Sequence, residues 1–192
     1  HSTTDQSLQE KPDFPQFFPQ SIPIAGLAIG RRLRTMALRM VLYRKYRPQR
    51  LSEVIGQSVV VDVLSRQLQL KVLHHGYLFS GPRGVGKTSV ARIFAKSINC
   101  THRKSVEPCN RCQSCRGITA GTDLFVVEID GASHRGIDEI RGLKEQLLIK
   151  ADRGLHRVVI IDEVHMLTKE AFNALLKLLE EPPDAVCFIL CT

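Results

Sequence analysis

The sequence contains no tryptophan, no internal repeat and no long apolar run. Its 13 Gly and 9 Pro among 192 residues argue against a collagen-like or wholly disordered chain. No stretch approaches the roughly 18 uncharged apolar residues that a membrane-spanning helix needs, so we expect no partnership with a membrane. The hydrophobic content of 43% is that of a globular protein, and the length suits one domain with a buried core.

Acidic residues are scarce at the start of the chain, and this scarcity accounts for most of its basic character. The formal net charge is +8, yet residues 1–50 alone hold nine Lys or Arg against three acids. Residues 14–52 contain no acid at all. A net charge of this sign usually suggests an anionic partner. Here most of the excess lies in the head segment, so it says little about the rest of the chain.

Residues 1–39 show no helical periodicity. Four prolines fall within residues 12–23, which predicts an extended or disordered lead-in. An apolar patch at residues 22–29 precedes its arginines, the reverse of the order in a secretory signal. Two interpretations stay open. The acid-poor stretch mildly resembles an organellar transit peptide, or it is upstream sequence translated ahead of a start at Met36 or Met40, which we favour.

From about residue 40 onward, short apolar strands alternate with helices. We predict strands near residues 76–80, 124–129, 157–162 and 186–191, and helices near residues 58–70, 89–99, 138–149 and 169–181. Thr168 is the expected N-cap of the last helix, which Pro182 terminates. Continuous apolar strands joined by helices predict an α/β fold, in which a parallel sheet carries helices on both faces.

A glycine-rich loop follows the first predicted strand and precedes a predicted helix. Residues 81–88 match the pattern G-x4-G-K-T, the P-loop whose backbone N–H groups surround phosphate oxygens at a helix N-terminus. Lys87 is expected to reach the β- and γ-phosphates of ATP, and the Thr88 hydroxyl to bind Mg²⁺. The candidate nucleotide-binding residues are Gly81, Pro82, Arg83, Gly84, Val85, Gly86, Lys87, Thr88 and Ser89.

An acidic pair ends the third predicted strand. Asp162 follows four apolar residues, and a carboxylate in that position can join Thr88 in holding Mg²⁺. The adjacent Glu163 can polarise a water for in-line attack on the γ-phosphate. With Lys87, this pair predicts an ATPase rather than an enzyme that phosphorylates a small molecule.

A four-cysteine insertion separates the P-loop helix from the second strand. Its members, within residues 100–115, are Cys100, Cys109, Cys112 and Cys115. A redox pair and ordinary buried thiols are alternatives, but four cysteines at these spacings favour a Zn²⁺ site. Because the insertion lies outside the P-loop, we expect ATP binding to be largely independent of this metal. Cys187 and Cys191 lie in an apolar strand and are expected to be core residues.

Six further short segments of the sequence have distinctive residue patterns. They are residues 42–48 (LYRKYRP), 54–57 (VIGQ), 74–81 (HHGYLFSG), 128–130 (EID), 162–167 (DEVHML) and 172–177 (FNALLK). Together with the cysteine insertion, they resemble the AAA+ clamp-loader ATPases of the gamma/tau type from bacterial DNA polymerase III. The resemblance covers about residues 40–192, which we interpret as one AAA+ nucleotide-binding domain that is incomplete at its C-terminus.

The resemblance implies a function and a set of partners. Members of this family use ATP to load the ring-shaped sliding clamp onto primer–template DNA, within a hetero-oligomeric ring of clamp-loader subunits. It places residues 44–48 and 54–57 beside the base and ribose, and it makes Thr192 the sensor 1 residue near the γ-phosphate. The arginine finger, sensor 2, lid and collar would lie beyond residue 192, so we expect poor hydrolysis by this chain alone. The implied location is the bacterial cytoplasm, in association with the nucleoid.

Two other functions remain open at this point. The chain could be a different AAA+ ATPase that processes DNA, although such proteins are not expected to carry the cysteine insertion. It could also be a non-catalytic assembly subunit that keeps nucleotide as a structural ligand. The presence of Lys87, Thr88, Asp162 and Glu163 argues against the second alternative.

Overall fold

The computed structural model of the protein describes residues 42–148 and 155–192. The expected lead-in, residues 1–39, lies outside the described residues, as does residue 149 at the end of one predicted helix. Among the helices of the described part, none is both long and apolar enough to cross a membrane.

Four parallel strands form one sheet. They are β1 (Gly76–Phe79), β2 (Val126–Asp130), β3 (Arg157–Asp162) and β4 (Val186–Cys191), and their order across the sheet is β1-β4-β3-β2. The helices are α1 (Leu42–Lys45), α2 (Ser58–Leu70), α3 (Lys87–Asn99), α4 (Gln113–Ala120), α5 (Ile137–Leu148) and α6 (Lys169–Glu180), with 3₁₀ turns at Leu51–Glu53 and Val164–Met166. Parallel strands need crossover connections, and the helices between the strands supply them.

The two faces of the sheet carry separate hydrophobic clusters. Val158 and Ile160 of β3 point to one face, where α2 and α3 contribute Leu64, Leu68, Ile93 and Phe94. The alternate residues of β3, Val159 and Ile161, point to the other face, where α5 and α6 contribute Ile140, Leu143 and Leu175. Each buried Leu, Ile or Phe side chain contributes roughly 1.5–3 kcal/mol to folding. The predicted α/β class, with helices on both faces, is confirmed.

Some predicted boundaries differ from the structure. Helix α3 begins at Lys87 rather than near residue 89, so the P-loop lysine and threonine belong to its first turn. Strand β2 begins at Val126 and reaches Asp130, because the Asp123 carboxylate accepts a hydrogen bond from the N–H of Phe125 and forms a turn there. Helix α4, inside the cysteine-rich region, was not predicted.

The start and end of α6 agree with the sequence pattern. The Thr168 hydroxyl accepts a hydrogen bond from the N–H of Ala171 at 3.2 Å, so the predicted N-cap is confirmed. The helix ends at Glu180, just before the two prolines. It packs against α5.

Candidate functional site

The P-loop connects β1 to α3 in a conformation that depends on glycine. Gly84 and Gly86 have φ values of +86° and +93°, in the left-handed region where other residues are strained. Gly86 is the N-cap of α3, and no side chain caps this helix end. The first-turn N–H groups of α3 therefore provide donors for an anion, and the helix dipole adds positive potential there.

Lys87 lies over the loop that it follows. Its Nζ donates hydrogen bonds to the carbonyl oxygens of Gly81, at 2.7 Å, and Pro82, at 2.9 Å. These neutral acceptors hold the ammonium beside the cavity that the loop encloses. Phosphate oxygens carry more negative charge than carbonyls and can replace them as acceptors.

Thr88 and Asp162 are 74 residues apart in sequence and make direct contact. The Thr88 hydroxyl donates to Oδ2 of Asp162 at 2.5 Å, while Oδ1 accepts from the N–H of Glu163 at 3.0 Å. Asp162 reaches this position because β3 ends there, beside the first turn of α3. A hydroxyl and a carboxylate side by side are hard oxygen donors of the kind that Mg²⁺ prefers, so these two residues fit that ion.

Glu163 leaves the strand in a left-handed conformation, with φ of +49°. Its Oε1 accepts a hydrogen bond from Nη2 of Arg83 at 2.6 Å, and this contact raises the pKa of the Arg83 guanidinium. The side chain of Arg83 is 90% exposed, whereas that of Glu163 is 26% exposed. Since the ion pair lies at the solvent edge of the cavity, a charged ligand can rearrange it at little cost.

Thr192 follows β4 and is hydrogen-bonded to the end of β1 and to the start of the P-loop. Its N–H donates to the carbonyl of Phe79 at 3.0 Å, and its carbonyl accepts from the N–H of Gly81 at 3.2 Å. Its hydroxyl lies 3.1 Å from Nδ1 of His165. No role for His165 follows from the sequence, because its proximity to Thr192 depends on the pairing of β3 with β4.

These groups surround one cavity of about 660 Å³. Its lining includes Arg47, Gly81, Arg83, Gly84, Gly86, Lys87, Thr88, Ser89, Asp162, Glu163, His165 and Thr192. Two of the predicted nucleotide-binding residues face elsewhere: Pro82 does not line this cavity, and Val85 lines a neighbouring apolar groove of about 330 Å³ beside β1. The other predicted P-loop and acidic residues are brought together at a single site.

The four cysteines of the insertion also converge. Their sulfur atoms all lie within 4.8 Å of one another, as binding to one metal ion requires. The N–H groups of Cys109, Cys112 and Cys115 donate to the sulfurs of Cys100, Cys109 and Cys112, respectively. Hydrogen bonds from N–H groups, of Arg111 above all, lower the pKa of the Cys109 thiol to about 6. Burial raises the pKa of the Cys100 and Cys115 thiols in the same cluster, so it is the convergence of the four sulfurs that fits a site for Zn²⁺.

The other two cysteines are part of the core. Cys187 and Cys191 are buried in β4, and burial raises the pKa of each thiol to about 12. Such thiols stay protonated and unreactive at neutral pH. All six cysteines have free thiols in this structure.

Comparisons with known proteins agree on one family. Residues 56–192 match the family described as DNA polymerase III, delta subunit. The chain is 53% identical over 151 residues to the DNA polymerase III subunit tau of Bacillus subtilis, covering 79% of this chain and 27% of that protein. It is 48% identical over 152 residues to the subunit tau of Escherichia coli, covering 79% of this chain and 24% of that one. It therefore spans about a quarter of the length of these relatives.

Solved structures with a related arrangement include two proteins of Thermotoga maritima. A RuvB variant is 26% identical with a TM-score of 0.48, over 76% of this chain and 41% of that chain. A DNA polymerase III gamma subunit-related protein is 24% identical with a TM-score of 0.45, over 68% and 38%. The resemblance to gamma/tau subunits is confirmed by the curated relatives, and, because the family match spans most of its length, the chain belongs to the DNA polymerase III subunit family.

Proposed function

We propose that this chain is the ATP-binding and ATP-hydrolysing part of a clamp-loader motor, an AAA+ ATPase that loads the sliding clamp onto primed DNA. The observation that carries the proposal is the contact between Thr88 and Asp162 at 2.5 Å, in a cavity that Lys87 and Glu163 also line. That arrangement supplies a cation, a metal-binding pair and a base around one cavity. Support also comes from the relatives, which are named as subunits of DNA polymerase III.

Binding of the triphosphate would use groups that already face the cavity. The N–H groups at the start of α3 would donate to phosphate oxygens, and the Lys87 ammonium would exchange its loop carbonyls for them. Thr88 and Asp162 would hold Mg²⁺, which neutralises charge on the β- and γ-phosphates. The cavity of about 660 Å³ is within the usual size of a cofactor site.

Hydrolysis would use Glu163 as the base. A water attacks the γ-phosphorus, the bond to the β–γ bridging oxygen breaks, and the proton of the water passes to the Glu163 carboxylate. ADP and inorganic phosphate are the products. In the structure the carboxylate is paired with Arg83 at 2.6 Å, so this ion pair has to open before Glu163 accepts a proton. Thr192, bonded to His165, would contact the γ-phosphate region.

The partners follow from the family and not from any contact within the chain. We propose that other clamp-loader subunits form a ring with this one, and that the ring binds the sliding clamp and primer–template DNA. A neighbouring subunit would supply an arginine finger, which contributes on the order of 10³–10⁵ in rate in nucleotidases of this type. A cytoplasmic location beside the nucleoid would follow from this function. The four cysteines would hold Zn²⁺ as a structural ion.

The test is Glu163→Gln in the assembled clamp loader, with Glu170→Gln, an exposed acid on α6, as the matched control. The variant keeps the shape of the side chain but removes its basicity. ATP binding should stay within about twofold of wild type, while phosphate release should fall by about 10²–10⁴-fold. An unchanged rate would contradict the catalytic role. Turnover that is absent from the wild-type assembly would instead favour the non-catalytic alternative.

A further inference from the structure

Gln49 connects several parts of the molecule through its own polar atoms. Its side-chain oxygen accepts a hydrogen bond from Nζ of Lys96 at 2.5 Å, and its backbone carbonyl accepts one from the Asn110 amide at 3.1 Å. Its backbone N–H donates to the Glu53 carboxylate at 2.7 Å, and its side-chain amide donates to the carbonyl of Arg47 at 2.9 Å. The residue is thereby fixed from four directions.

A second contact ties the same segment to the cysteine insertion. The two carboxylate oxygens of Glu107 accept hydrogen bonds from the N–H groups of Leu51 and Ser52, each at 3.0 Å. Leu51 is 1% exposed and belongs to the core beside α3. Charge-assisted bonds of this kind are about twice as strong as neutral ones. The insertion therefore holds residues 49–52 at two points, Asn110 and Glu107.

Asn110 is placed directly by the metal-binding residues. It lies between Cys109 and Cys112 in sequence, and its backbone is left-handed, with φ of +57°. A metal bound by both cysteines fixes the turn on which Asn110 lies. Without the metal, four thiolates or thiols within 4.8 Å have no shared ligand to hold that turn in place.

Lys96 connects α3, the helix that follows the P-loop, to Gln49 and Asn110. It lies on α3, nine residues after Lys87, and its side chain is almost fully buried at 2% exposure. Its ammonium donates to Gln49 and, at 3.3 Å, to the Asn110 side-chain oxygen. A zinc ion with four thiolates carries a net charge of −2, which favours a buried ammonium nearby. Removing the metal would leave this cation less well compensated.

Arg47 connects the contacts of Gln49 to the nucleotide cavity. It lies two residues before Gln49, its carbonyl accepts a hydrogen bond from the Gln49 side chain, and the residue lines the same cavity as Lys87 and Thr88. We propose that the cysteine insertion positions residues 47–52 through Gln49, so that metal binding by the four cysteines and nucleotide binding by the P-loop strengthen each other. The inference rests on the proposed function, since it assumes that the cavity binds ATP. It also replaces the expectation that the two sites are independent.

Linkage between the two sites is reciprocal, so it can be measured from either side. On one side, the affinity of the zinc-loaded chain for a fluorescent ATP analogue is compared for wild type, Gln49→Ala and Asn110→Ala. On the other side, the zinc affinity of the chain is measured by equilibrium competition with a coloured chelator, with and without Mg·ATP. Gln113→Ala, an exposed glutamine of the same insertion, is the matched control.

We expect Gln49→Ala and Asn110→Ala to weaken nucleotide affinity by about fivefold or more while one zinc per chain remains, and the control to have no effect. ATP should raise the zinc affinity of wild type by the same factor as zinc raises the ATP affinity, and this gain should disappear in Gln49→Ala. If ATP binds to wild type but leaves its zinc affinity unchanged, the linkage is wrong, whether or not the variants fold. If wild type binds no ATP at all, the proposed function fails and the linkage with it.

Discussion

A methyl group placed on Gly131 would lie 2.7 Å from the carbonyl oxygen of Glu163. The N–H of Gly131 also donates to the Asp162 carbonyl at 2.8 Å, so the end of β2 supports the turn in which the acidic pair lies. Glu163 has a left-handed backbone there, and the absence of a side chain at Gly131 makes room for it. The direction of the proposed catalytic base is thus set from a neighbouring strand.

Gly131→Ala should therefore impair hydrolysis more than binding. The added methyl group must push the Glu163 backbone away, at a cost of about 1–3 kcal/mol in the free energy of unfolding. In the assembled clamp loader, ATP affinity should change little, while the rate of phosphate release should drop at least tenfold. Gly142→Ala, in helix α5 with no atom near its added methyl, is the control and should be neutral or slightly stabilising. Equal rates for the two variants would contradict this account.

Lys87→Ala should weaken binding of ATP by about 10- to 100-fold, because it removes a charged hydrogen-bond donor to the phosphates. Its present acceptors are two loop carbonyls, so its loss should leave the fold intact. Titration of a fluorescent ATP analogue measures the change, and circular dichroism checks the fold. Lys144→Ala, an exposed lysine on α5, should bind the analogue like wild type. A binding constant for Lys87→Ala equal to that of the control would remove the phosphate assignment.

The magnesium assignment depends on the hydroxyl of Thr88, which contacts Asp162. Thr88→Val keeps the branched shape but removes the oxygen, and Thr88→Ser keeps the oxygen but removes a methyl. We expect Mg²⁺ to raise nucleotide affinity for wild type and Thr88→Ser, and to have little effect on Thr88→Val. Titrations of the analogue with and without Mg²⁺ make the comparison. The same Mg²⁺ dependence in both variants would show that the hydroxyl is not a ligand.

The cysteine insertion should carry about one zinc per chain, by the ligand count of a closed four-thiolate site. Cys112→Ser should release the metal, since Cys112 also caps helix α4 and supplies one of the converging sulfurs. Hydrogen exchange should then become faster across residues 100–120, and nucleotide affinity should fall through the Gln49 contacts. Cys187→Ala removes a core thiol and should keep the metal. Metal analysis of the purified protein decides; zinc retained by Cys112→Ser would refute the ligand set.

The strands and the P-loop could be predicted because their signals are local. Continuous apolar runs define β3 and β4, and the glycine spacing with Lys87 defines the loop. Helix α4 was missed because it is eight residues long and two of the metal-binding cysteines lie at its N-cap, Cys112, and in its first turn, Cys115. Local pattern does not reveal how short elements pack around a metal site.

The roles of Gly131, His165 and Gln49 could not be read from the sequence for a different reason. Each acts through a partner that is distant along the chain, such as Asn110 for Gln49, 61 residues away. Contacts of this kind exist only after the strands have paired, so no periodicity or spacing in the sequence predicts them. The pairing of Asp130 with Asp162 across β2 and β3 is the register that brings Gly131 under Glu163.

The position of β4 between β1 and β3 has a consequence for how the protein is made. The ribosome synthesises the P-loop before β4. In the folded protein, however, Phe79 of β1 pairs with Cys191 of β4, and the N–H of Gly81 donates a hydrogen bond to the carbonyl of Thr192. More than 100 residues therefore have to be synthesised after Gly81 before the strand that supports the loop is complete. Pairings of such long range are slow to form, and unpaired strand edges are prone to aggregation in the interval. A nascent chain would thus contain its phosphate-binding motif well before it could bind a nucleotide. Pairing of β4 with β1 and β3 would complete the sheet and make nucleotide binding possible.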